Sequence, residues 1–207
     1  MGLLTIIYPG LKVLFERLGK PEVVNLVDEL RPGRPGAVIA CNHIGWADSL
    51  WIAYAVYPRQ LRYLSKKELF DSRTLRWVLE HGGSLPLDRT APAPGSIKTA
   101  VALLKNGDIL LIFPSGTRSA ESSEFKRGAA TVALHAGVPL VPAFYQGPPN
   151  MQVGHLTNRP RIRVTFGTPI PTTGLPIVRE TAIELTRQIE SAIGRLRSLA
   201  NAELSAA

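Results

Sequence analysis

His43 and Asp48 stand five residues apart in the stretch VIACNHIGWADSL, where an apolar run stops at Asn42-His43 and resumes at Leu50-Trp51-Ile52. A carboxylate on one ring nitrogen of an imidazole fixes the tautomer and leaves the other nitrogen to accept a proton. The result is a general base, worth roughly 10²–10⁴-fold in rate. On one continuous helix the two side chains would sit roughly 140° apart, at about 100° per residue, and could not meet. The sequence offers another geometry. Ala37–Cys41 reads as a strand, Gly45 permits a bend, and Asp48 falls at the N-cap of a helix, so the carboxylate can fold back onto the ring. A capping aspartate beside an unrelated loop histidine accounts for the same spacing.

A base needs something to deprotonate. No G-x-S-x-G elbow occurs, and the nearest candidate, Pro114-Ser115-Gly116, lacks the first glycine. The other option is a hydroxyl carried by the substrate. Three further segments end in residues suited to anions. Ile109–Phe113 runs into Pro114-Ser115-Gly116-Thr117-Arg118-Ser119, where small residues leave backbone N–H groups free and Arg118 can fork onto phosphate oxygens. No P-loop pattern is present. Leu85–Leu87 ends in Asp88-Arg89, and Lys126 and Arg127 open a helix whose amide end favours anions. Singly, these are a solvated Gly-Thr turn and a surface ion pair. Together, four basic side chains and a His–Asp pair on one rim describe a site for a phosphorylated substrate bearing a hydroxyl.

The elements that must position them alternate in type. Strands are expected at Val23–Val27, Ala37–Cys41, Leu61–Leu64, Ser84–Leu87, Ile109–Phe113, Leu140–Tyr145 and Ile162–Phe166. Several are unbroken apolar runs, as in a sheet covered on both faces. Helical patterns fall near Ser49–Val56, Lys66–Glu80, Ser96–Lys105, Lys126–Ala136 and Val178–Leu199, with Gly/Pro/Asn turns between. The pattern predicts a single α/β domain with a mostly parallel, mixed sheet of about seven strands flanked by helices. Its ligands should gather at the carboxyl ends of the strands.

Bulk properties narrow the partners. The 207 residues carry a net charge of +8, are 45% hydrophobic, and include one cysteine, Cys41. The length suits one core. The lone cysteine excludes an internal disulfide framework and fits a reducing compartment. The basic surplus suits an anionic membrane or a phosphorylated substrate. Aromatics do not alternate with basic residues, which argues against nucleic acid. No metal-ligand cluster is visible, and His81, His135 and His155 are scattered. In residues 1–19, Leu3, Leu4, Ile7, Tyr8, Leu11, Leu14, Phe15 and Leu18 form a helical stripe interrupted by Pro9-Gly10 and loaded with Lys12, Glu16 and Arg17. The segment is too broken for a span, which wants about 20 apolar residues. It also lacks the marks of a signal peptide. It reads either as a membrane-interface helix or as an amphipathic helix packed on the domain. The divisions expected are this helix, a domain over residues 20–200, and a frayed tail over 201–207.

The residues now form a familiar set. NHIGWAD is similar to the N-H-x-x-x-x-D block of glycerolipid acyltransferases, and GGSLPLDR, FPSGTRS and VPLVPAFYQG resemble three further blocks in the same order. The likeness spans roughly Val38 to Gly147 and is to the 1-acyl-sn-glycerol-3-phosphate acyltransferases. It implies that His43, next to Asn42, is the general base on a glycerol hydroxyl, oriented by Asp48. It further implies that Arg89, Gly116 and Arg118 hold the glycerol phosphate, and Asn42, Ser115, Thr117, Lys126, Arg127 and Pro142 are expected to complete the substrate site. The donor would be acyl-CoA or acyl-carrier protein, attacked directly with no acyl-enzyme, and neither cofactor nor metal is implied. The protein would work peripherally on the cytoplasmic face of the membrane, on a lysophospholipid.

Two departures stand out. Ser115 replaces the glutamate usual in the third block, which bears on the acceptor. About 42 residues precede His43, room for one N-terminal helix rather than the two-helix platform of some relatives. Other readings are a different lysolipid or glycolipid acceptor, a lipid or thioester hydrolase using Ser115, or an inactive lipid-binding module.

Overall fold

Seven short apolar runs become strands, and the turn-rich segments between them fold mostly into helices. In the computed structural model, which describes residues 3–87, 94–114 and 127–205, chain order is α1 (Leu3–Leu18), β1 (Lys20–Val24), β2 (Ala37–Cys41), α2 (Ala47–Val56), β3 (Leu61–Lys66), α3 (Arg73–His81) and β4 (Ser84–Leu87). Then follow α4 (Pro94–Lys105), β5 (Ile109–Ile112), α5 (Gly128–Ala136), β6 (Leu140–Gln146), α6 (His155–Asn158), β7 (Arg161–Phe166) and α7 (Arg179–Ser205). The strands make one sheet in the order β1-β7-β6-β2-β5-β3-β4. All neighbours are parallel except β6 and β7, so β1 and β7 run against the other five.

Strand alternation sorts the apolar residues into two cores. Val38, Ala40, Leu110, Ile112, Leu140 and Phe144 face α4, α5 and α7, meeting Leu104, Ala133 and Ile189. Ala37, Ile39, Cys41, Ile109, Leu111, Val141, Ala143 and Tyr145 face the other way, onto Trp51, Ile52 and Val56 of α2. Phe15 of α1 packs edge-on against Trp51, with ring centroids 5.0 Å apart. Burial on both faces explains why β2, β5 and β6 read as continuous apolar runs.

Besides shifts of one or two residues at several ends, five differences from expectation stand out. β1 begins at Lys20 rather than Val23 and ends before Asn25, whose φ of 54° breaks the extended chain. α2 starts at Ala47, which puts Asp48 inside the first turn instead of at the N-cap. The pattern near Lys66–Glu80 divides into the end of β3, a 3-10 turn at Lys67–Phe70, and α3. α1 continues through Pro9-Gly10. α7 runs on to Ser205 where fraying is expected, and Glu203 in its last turns pairs with Arg163 of β7.

Candidate active site

β2 and its two neighbours define the place. The chain leaves β2 toward β3 and β4 on one side and returns with β6 on the other, so the end of β2 is a topological switch point, where open α/β sheets form a ligand crevice. His43 lies just past that end. Its Nδ1 is 2.8 Å from Asp48 Oδ2. Asp48 is 0% exposed, whereas the His43 side chain is 36% exposed. The carboxylate also accepts the N–H groups of Ile44 and Gly45 on Oδ2, at 3.0 and 3.2 Å, and that of Ser49 on Oδ1 at 2.7 Å. A buried charge is tolerated only with such compensation. With Asp48 on Nδ1, Nε2 is the nitrogen left for chemistry. The imidazole lies flat against Phe113, centroids 4.2 Å apart and planes 24° from parallel.

The corner is braced from β6. Beyond Cys41 the β2 backbone turns away, yet Tyr145 still points its N–H and C=O toward it. The Asn42 side chain fills that gap, its Oδ1 accepting the Tyr145 N–H at 2.7 Å and its Nδ2 donating to the Tyr145 carbonyl at 3.0 Å. The Tyr145 hydroxyl donates to the Pro148 carbonyl at 2.9 Å. One residue on, the Pro149 carbonyl accepts the Ala47 N–H at 3.1 Å. Gly45 permits this approach, since a Cβ there would lie 1.8 Å from the Pro149 oxygen. Burial, with the charges of Asp48 and Cys41 adding to it, pushes the Tyr145 hydroxyl above the usual phenol range and keeps it a donor. Burial and then Asp48 push the Cys41 thiol up as well.

The expected site residues divide three ways. His43 and Asp48 meet. Arg127 stands at the N-terminal end of α5, on the strand-end rim where the helix enters from β5. Asn42 and Pro142 belong to the frame around the pair. The Asn42 amide is spent on the Tyr145 backbone, and Pro142 is buried within the sheet, paired with Ala40 and close to Gly167. Arg89, Ser115, Gly116, Thr117, Arg118 and Lys126 lie outside the described residues. Of the remaining histidines, His81 and His135 are exposed and His155 is buried, its Nδ1 accepting the Gln152 N–H at 3.3 Å. Phe113, Tyr145 and Pro149 were not singled out from sequence. Phe113 alone had a signal, since it extends the Ile109/Leu111 face of β5 toward the site.

A family model described as acyltransferase matches residues 23–146, from β1 to the last residue of β6. The chain belongs to the acyltransferase family. Within it, the chain is 41% identical over 161 residues to a 1-acyl-sn-glycerol-3-phosphate acyltransferase of Bacillus subtilis (strain 168), covering 78% of this chain and 79% of the relative. A Streptococcus pneumoniae protein of the same name is 34% identical, and the match covers 77% of this chain and 60% of that one. The crystal structure of a 1-acyl-sn-glycerophosphate acyltransferase from Thermotoga maritima superposes with a TM-score of 0.65 at 19% identity, over 94% of this chain and 80% of its own. The seven-stranded, mostly parallel sheet is therefore an acyltransferase fold, and the protein is an enzyme of acyl transfer.

Proposed function

We propose that the enzyme acylates the free hydroxyl of 1-acyl-sn-glycerol-3-phosphate to give phosphatidic acid, at an anionic membrane surface. The observation that carries this reading is the His43–Asp48 pair at 2.8 Å, with the carboxylate buried and Nε2 of a half-exposed ring left to act. His43 takes the proton of the acceptor hydroxyl as its oxygen attacks the thioester carbonyl. The C–S bond then breaks and the thiol leaves with a proton. A thioester is already activated, so placement and one proton transfer carry most of the rate. The donor is acyl-CoA or acyl-carrier protein. Arg89 and the 115–118 segment, with Arg127 at the head of α5, hold the glycerol phosphate. Relatives named for this substrate at 41% and 34% identity support the assignment. Among the described residues no helix is long and apolar enough to cross a membrane. Attachment is therefore assigned to α1 and the net charge of +8, on the cytoplasmic face.

The test is transfer from labelled oleoyl-CoA or oleoyl-acyl-carrier protein to lysophosphatidic acid in anionic liposomes. The unmutated chain makes phosphatidic acid, and His43→Ala loses roughly 10²–10⁴-fold of the rate. Ser115→Ala keeps the reaction. Free fatty acid as the product, abolished by Ser115→Ala, would instead establish a hydrolase.

A further inference from the structure

The β6–β7 connection holds side chains that acyl transfer does not use. Val153 is 84% exposed, the most exposed large apolar residue among those described, and Leu156 on α6 is also exposed. Such residues clustered together mark a contact surface. Their neighbours are informative. The connection reaches the catalytic corner through the Pro149–Ala47 hydrogen bond, and that corner presents exposed Ile44 and Trp46. On its other side α6 packs beside α1, and Arg159 donates to the Glu16 carbonyl at 2.8 Å. There α1 presents exposed Val13 and Leu14. Three adjoining segments thus expose apolar side chains, and the 44–46 corner among them neighbours His43.

The surrounding charge is one-sided. Residues 1–20 and 147–161 contain Lys12, Arg17, Lys20, Arg159 and Arg161 against one carboxylate, Glu16. That carboxylate is already engaged by Lys12 and the Tyr54 hydroxyl. Apolar side chains set among an excess of cations match the interface of an anionic bilayer, which asks for no shape complementarity.

We propose that Val153 and Leu156 form a second membrane contact which, with α1, seats the His43 rim against an anionic lipid surface. The inference deepens the reading of the acceptor as a membrane lipid and rests on it. Partition supplies the test: sedimentation of the full chain with sucrose-loaded phosphatidylcholine vesicles, with and without phosphatidylglycerol, and with no substrate present. The unmutated chain sediments with the phosphatidylglycerol vesicles, less so as salt rises. Val153→Ser with Leu156→Ser lowers the partition coefficient about tenfold, and Val153→Phe raises it. Val153→Ser alone, at a side chain with little packing to lose, gives part of the loss with unchanged thermal unfolding. Equal partition of all variants overturns the proposal. So does sedimentation without vesicles that the serine variants abolish, which would make this face a contact between copies. Failure of phosphatidic acid synthesis with partition intact would sink the acceptor assignment alone.

Discussion

The ring of His43 rests on that of Phe113, the residue that ends the apolar run of β5. A hydrogen bond at Nδ1 holds one atom of an imidazole, whereas a stacked face holds its plane. Such pairs contribute about 0.5–1.5 kcal/mol beyond burial. Phe113→Leu should therefore lower kcat by up to about tenfold with KM little changed, and Phe113→Tyr should restore it. Steady-state kinetics with varied acceptor separates the two parameters.

Asp48 receives three backbone N–H groups besides the imidazole. Asp48→Asn keeps the shape but turns an amide N–H₂ toward groups that are themselves donors. It should cost about 1–3 kcal/mol of stability and lower kcat as well. Urea midpoints and turnover should fall together. A variant with full activity would show that Asp48 only closes the corner.

The Pro148-Pro149 brace can be loosened from either side. Tyr145→Phe removes the hydroxyl donated to Pro148 and should cost about 1 kcal/mol. Gly45→Ala forces a Cβ against the Pro149 carbonyl and should cost more, about 1–3 kcal/mol, displacing the corner that carries His43. Thermal unfolding ranks the two. The glycine variant should be the less active.

The Cys41 thiol, pushed up by burial and by Asp48, gives stability a defined dependence on pH. In the unfolded chain the thiol ionises in its ordinary range, while the folded chain still holds the proton. The stabilisation is whole below that range and falls as pH rises through it, by up to about 1.4 kcal/mol per pH unit, until the folded thiol ionises too. Cys41→Ala should flatten the alkaline limb of a urea-midpoint profile relative to the unmutated chain. Tyr145 acts in the same direction at higher pH.

How much of this was legible beforehand follows from where the information sits. Buried strands announce themselves, and Ala37–Cys41 matches to the residue, as does the edge strand Ser84–Leu87. Asp48 meeting His43 was legible because a strand–loop–helix corner is a local arrangement. The brace was not, because Asn42 and Tyr145 lie 103 residues apart and meet only through the parallel pairing of β2 with β6. The place of Pro142 was hidden for a related reason, since its pairing with Ala40 and its closeness to Gly167 are set by strands far apart in the chain. The reversal of β7 left no trace in composition.

Every residue of β2 is buried, with neighbours on both edges and helices over both faces. Amides in such a strand exchange with solvent only when the whole molecule opens, at the full free energy of unfolding. His43 is thus tethered two residues beyond the part of the chain that yields last. Whatever motion admits and releases substrate must occur in the surrounding segments, moving against a stationary imidazole.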